Sequence, residues 1–313
     1  MTGDLGRMGE IPFDRDYGRT LINNYLSNNY TVNYTNDKNY RNYTIFSFGD
    51  SFSDAEIAGY QNYIGHILGD SVLNVRKSGV DAARLAVGLL NAGFFDAKKT
   101  KFVVIQRVER HLIDALLHLD FDKISSKGEV TENSFAKRPI ADGDTIGYRA
   151  FNFGRISNWV KLKIGWTKVK EAQLGINAFS QKERGNKLYF YQDDLNFARY
   201  QPHEIEQAKA NLIRLHEKFA EKGVCLIYVV AADKYDVYSE FIVNNPYPEN
   251  HTLDYFSDLS QENWFLNTKD LLQPKVREGC LDVYKINDTH WSYIGHRLVA
   301  EEIVRRMSCA TKL

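Results

Sequence analysis

The chain has almost no charge bias: its 313 residues carry forty Lys and Arg against forty Asp and Glu. No global field therefore draws it to nucleic acid or to an anionic membrane surface. Apolar runs are short, and none approaches the roughly eighteen residues that a membrane-spanning helix needs. Cysteine is sparse as well. Cys225, Cys280 and Cys309 have no metal-ligand spacing, and three thiols do not make a disulfide framework. Cys225 reads as a small core residue inside a strand, which leaves Cys280 and Cys309 as the two that could pair. There is no His-Glu-x-x-His, no Cys-x-x-Cys and no glycine loop of the kind that cradles phosphate. His111 and His118 lack a third ligand, so neither a metal nor another cofactor is implied. The segment Met1 to Arg7 has no apolar core and does not read as a signal peptide. The expectation is a cytoplasmic protein, or one whose targeting segment lies outside this sequence.

What is present is a strand and helix alternation that starts near residue 44. Residues 44–48, 72–75, 101–105 and 224–230 read as strands, with a fifth at 281–284. Helical periods cover 56–68, 81–94, 204–221 and 291–307, with Ile57, Tyr60, Ile64 and Leu68 on one face of the first and Asp81 capping the second. Phe102-Val103-Val104-Ile105 is too apolar for a half-exposed sheet. The alternation implies an α/β fold, a three-layer α/β/α sandwich around a parallel sheet of about five strands. Residues 1–43 read as an amino-terminal extension, and 44–313 as one domain. The stretch 119–200, with Trp159 and Trp166, breaks the rhythm and reads as an inserted loop or small-strand region over the carboxyl edge of the sheet.

The chemistry concentrates in two segments. Ile45-Phe46-Ser47-Phe48 runs into Gly49-Asp50-Ser51, which sets a serine hydroxyl at the carboxyl end of a strand, where open α/β sheets hold their sites. Near the other end of the chain stands Asn287-Asp288-Thr289-His290-Trp291. A serine nucleophile needs a base, and the base needs a carboxylate to orient it. Ser51, His290 and Asp288 are the candidates, with Thr289 expected to point away from the cleft. Ser53 stands where a Gly-x-Ser-x-Gly elbow would carry its second glycine, which argues against the α/β-hydrolase turn.

Together the two segments resemble the SGNH (GDSL-like) hydrolase superfamily. Asp288-Thr289-His290-Trp291 resembles the signature of its AlgX/AlgJ-type polysaccharide O-acetyltransferase group, as do Val108-Glu109-Arg110 and Asp233-Lys234-Tyr235-Asp236-Val237-Tyr238. The resemblance covers about 44–118 and 202–306. Two departures stand out. The serine here precedes the Asp/His pair, as in ordinary SGNH hydrolases. Those enzymes space the pair as Asp-x-x-His, and the corresponding position here is Asn287, so Asp288, in the Asp-x-His spacing of the acetyltransferase group, is the better carboxylate. The Gly-x-Asn-Asp block is also missing, and Gln106-Arg107-Val108-Glu109-Arg110 stands in its place. The resemblance implies oxyanion donors at the Ser51 and Gly79 N–H groups. It leaves Arg107 or Arg110 to replace the missing asparagine or to hold an acidic sugar, unless Glu109 and Arg110 form only a surface pair. Trp291 could lie under a sugar ring or line the acyl pocket, or else belong to the core. Lys234 and Tyr235, at the same sheet edge, could meet polar groups of a substrate.

The activity implied is O-acetylation of a glycan or polysaccharide hydroxyl through an acyl-Ser51 intermediate. An acyl donor, such as a membrane acyltransferase, would be the partner, and the resemblance implies an extracytoplasmic or envelope setting. An acetylesterase with the same nucleophile is the alternative, and a non-catalytic glycan-binding protein that keeps the fold is a third.

Overall fold

A computed structural model describes residues 28–34, 40–76, 79–95, 99–125, 168–181 and 183–310, together with Leu5 and Leu26. The order of elements begins with β1 (Thr31–Asn33), β2 (Ile45–Phe48), α1 (Tyr60–Leu68), β3 (Val72–Val75), α2 (Ala82–Asn91), β4 (Phe102–Val108) and α3 (Leu112–Leu117). It continues through β5 (Val169–Gln173), β6 (Lys187–Tyr191), α4 (Pro202–Ala220), β7 (Cys225–Ala231), α5 (Lys234–Tyr238), β8 (Phe265–Asn267), α6 (Thr268–Arg277) and α7 (Tyr293–Ala310).

Six strands form one parallel sheet in the order β1-β3-β2-β4-β7-β8. Its inner strands are buried along nearly their whole length because helices cover both faces. α1, α6 and α7 pack on one side, and α2, α3 and α4 on the other. β2 shows why alternate residues serve the two layers: Ser47 bonds Tyr60 of α1, while Phe46 and Phe48 meet Phe95 beyond α2.

Local signals set the element ends. Asp81 accepts hydrogen bonds from the Ala83 and Arg84 N–H groups and starts α2. Pro202 occupies the first turn of α4, and the Glu204 carboxylate reaches back to the Gln201 N–H. Gly69, in the left-handed region, ends α1.

The sheet, expected to hold about five strands, has six, and one of them, β1, lies upstream of residue 44. Three expectations need correction. Residues 281–284 are not a sheet strand: Asp282 has φ of 56°, which breaks an extended run, and only a Tyr284–Trp291 bridge remains there. The last sheet strand is β8 instead. Residues 56–58 form a separate short turn before α1, and Leu68 on the expected apolar face is exposed. Cys225 is exposed at the start of β7, and all three cysteines are free thiols. Within the expected insertion, β5 and β6 form an antiparallel pair, while Trp159 and Trp166 lie outside the described residues.

Candidate active site

β2 delivers the chain to the carboxyl edge of the sheet, and β4 fixes the turn beyond it. One Asp50 carboxylate oxygen accepts from the Phe52 N–H at 3.1 Å, and the other from the Val108 N–H at 2.7 Å. Gln106, buried in the middle of β4, accepts from the Asp50 N–H at 3.2 Å and from Ser53 Oγ at 3.0 Å. Gly49 is required by this close approach, since a Cβ there would overlap Ser53 Oγ and Gln106 Oε1. The result is a short turn, stitched to the neighbouring strand, with Ser51 exposed at its start.

The segment before α7 supplies the partner groups. His290 Nε2 lies 2.7 Å from Ser51 Oγ, and its Nδ1 lies 2.6 Å from Asp288 Oδ1. The same carboxylate oxygen accepts from the His290 N–H at 3.1 Å, so one carboxylate orients both the backbone and the ring. An imidazole with its proton on Nδ1 donates to Asp288 and leaves Nε2 to accept from the serine hydroxyl. Asn287 is buried, and it is Asp288 whose carboxylate meets the ring. Thr289 does not point away: its Oγ1 lies 3.4 Å from Nδ1. The Phe52 ring backs the imidazole at 4.6 Å.

The loop that carries this pair is held from beneath. Lys234 is fully buried, and its Nζ donates to the carbonyls of Lys285, Ile286 and Asp288. Tyr284 donates to the Ala232 carbonyl at 2.6 Å and accepts from Trp291 Nε1 at 3.0 Å. Trp291 has no exposed surface, so it is a core residue against Phe52 and cannot lie under a sugar ring. Nor do Lys234 and Tyr235 face a substrate, because Tyr235 is buried and donates to the Pro248 carbonyl.

Gly79 lies beyond the end of β3 on the same sheet edge, with φ of 72° and open space where a Cβ would stand. Its N–H and that of Ser51 make no hydrogen bond to another described residue. Arg107, near the end of β4, is half-buried with Nε 3.3 Å from Asp81 Oδ2.

Arg110 departs from its expected role. Its guanidinium pairs with Asp233 and, at 3.3 Å, with Asp194. Burial opposes its charge, but those carboxylates outweigh burial and hold its pKa above the ordinary value. Glu109 is not in a surface pair with it. Glu109 is buried, accepts from the Asp233 N–H at 2.8 Å and from Asn250, and has a pKa well above the usual range. Burial is the main cause, with the Asp236 and Asp233 charges adding to it. His290 and His296 diverge. His296 is buried on α7, accepts from the Tyr60 N–H and is held neutral mainly by burial. Among the described residues no group of His, Cys, Asp or Glu is set to hold a metal ion.

One signal could have identified a supporting residue. Gln106 is a polar residue in the middle of a buried parallel strand, directly after the apolar run Phe102–Ile105. That is not where a solvated side chain belongs.

Residues 186–312 match the family model described as an SGNH hydrolase-like domain, acetyltransferase AlgX. That match and the parallel six-stranded α/β/α sheet support a likeness to the SGNH superfamily and its AlgX-like group. The matched region contains Lys234, Asp288 and His290 and begins well after Ser51. A comparison with curated proteins gives no match.

Proposed function

We propose that the protein catalyses serine-dependent acyl transfer, with Ser51 as nucleophile, His290 as general base and Asp288 as the group that orients the imidazole. The observation that carries this reading is the unbroken line of hydrogen bonds from Asp288 through His290 to Ser51 at the carboxyl edge of the sheet. As Ser51 Oγ attacks an acetyl ester carbonyl, its proton passes to His290 Nε2, and Asp288 stabilises the imidazolium. The Ser51 and Gly79 N–H groups would receive the oxyanion. The donor alcohol leaves with the proton from His290, and an acetyl ester remains on Ser51. A sugar hydroxyl then gives its proton to His290, attacks that ester and departs acetylated, which regenerates Ser51.

A polysaccharide or glycan hydroxyl is the preferred acceptor because the matched family model is described as an acetyltransferase. In this reading the catalytic unit is one α/β domain that includes β1, with 119–200 as an insertion, and a separate acyl donor is its partner. A second reading, an acetylesterase with water as acceptor, is favoured by the order of the residues, since Ser51 precedes Asp288 and His290 as in ordinary SGNH hydrolases. Incubation with an acetyl ester reporter, with and without oligosaccharides, separates the two. Mass spectrometry that finds acetylated sugar supports the transferase. Release of free acetate alone, at a rate that oligosaccharide leaves unchanged, supports the esterase.

A further inference from the structure

We propose that Lys234 is a positioning residue for this chemistry: its buried ammonium fixes the loop that presents Asp288 and His290. The inference rests on the reading of Ser51, His290 and Asp288 as one catalytic unit.

Lys234 opens α5, with Ala232 and Asp233 between it and the end of β7, and is fully buried. Its Nζ donates to the carbonyls of Lys285 at 2.7 Å, Ile286 at 2.9 Å and Asp288 at 3.2 Å. Three acceptors match the three N–H bonds of one ammonium. All of them come from the short stretch that ends on the carboxylate facing His290. The loop also closes on itself, with the Lys285 N–H donating to the His290 carbonyl at 3.2 Å and the Asp288 N–H to the Lys285 carbonyl at 3.4 Å. A displacement of residues 285–288 therefore reaches His290. The Phe179 ring lies 5.2 Å from Nζ and walls the ammonium on another side.

Taking an ammonium out of water costs several kcal/mol, so three carbonyl dipoles and an aromatic face serve to hold it. An apolar side chain of the same length would remove that cost and leave three carbonyls without their donor. The loop would then relax, and the carboxylate would leave the place that aligns Nδ1. Misplacement by about 1 Å can lower a rate about a hundredfold.

The test compares wild type, Lys234→Met, Lys234→Arg and Ser51→Ala on p-nitrophenyl acetate, with thermal melting as the control for folding. Lys234→Met should fold and lose about a hundredfold or more in kcat, while KM stays within about threefold. Lys234→Arg should restore part of the rate. Absence of turnover above the Ser51→Ala blank in wild type would overturn the site reading and this inference with it. Ser51-dependent turnover in wild type, with an unchanged kcat in folded Lys234→Met, would overturn the inference alone. Failure of both Lys234 variants to fold would also overturn it, since the lysine would then hold the domain and not the loop.

Discussion

His290 Nε2 lies 2.7 Å from Ser51 Oγ although 239 positions separate the two residues along the chain. The contact exists because β2 is central in the sheet and α7 packs against α1, which returns the end of the chain to the edge where β2 stops. Groups arranged in this way should act together. Ser51→Ala and His290→Ala should each lower ester turnover by several orders of magnitude, and the double variant should be little worse than either. Asp288→Asn should lose a comparable or smaller factor. Additive losses in a steady-state comparison of single and double variants would show that the residues do not work as a unit.

Gly49 and Gly79 should fail for different reasons. Gly49→Ala forces overlap with Ser53 and Gln106, and overpacking of this kind costs about 1–3 kcal/mol. Activity should fall with it, because the displaced turn carries Ser51. Gly79→Ala meets open space, but its φ of 72° costs an L-residue about 1–2 kcal/mol. Chemical denaturation of both variants beside ester kinetics checks the difference.

Arg107 and Arg110 should separate cleanly. Arg110→Met leaves Asp233 and Asp194 buried without their cation and should destabilise the fold by about 3–5 kcal/mol. Arg107→Gln should leave stability nearly unchanged. If Arg107 stabilises the oxyanion, turnover of a small neutral ester should fall by about a hundredfold or more. If it holds an acidic sugar, only transfer to the glycan should weaken. No change in either reaction would remove Arg107 from the site.

Stability should fall at both ends of the pH range. Buried Glu109 keeps its proton in the native state above the pH at which the unfolded chain releases it. Its contribution is complete below the ordinary carboxylate range and is lost as pH rises through the raised native value. His296 has the opposite sign: burial, then the charges of Lys285 and His290, lowers its pKa, so stability is lost as pH falls below about 6.5. Glu109→Gln should flatten the alkaline decline, and His296→Asn the acidic one. Melting temperatures across pH check both, and parallel curves for wild type and variants would contradict the assignment.

The alternation of apolar strands and helices was legible because β2, β3, β4 and β7 are buried on both faces and therefore read as mostly apolar runs. β1 and β8 escaped notice because three residues, TVN or FLN, carry no period. Ser51, Asp288 and His290 stand in short segments whose spacing shows in the sequence. Their supports do not, because they depend on which buried polar group finds which partner. Lys234 reads like any lysine at a sheet edge until its three carbonyl acceptors are seen. Arg110 likewise looks available for substrate until Asp233 and Asp194, distant in sequence, close on it.

The central claim is that Ser51 carries the acyl group, and trapping that ester tests it most directly. The protein is mixed with an excess of acetyl ester, quenched in acid within the first turnovers, digested and mapped by mass spectrometry. One acetyl group is expected on the peptide that contains Ser51, absent in Ser51→Ala and discharged by an acceptor in the unquenched enzyme. An acetyl group on another residue that persists in Ser51→Ala, with turnover intact, would contradict it.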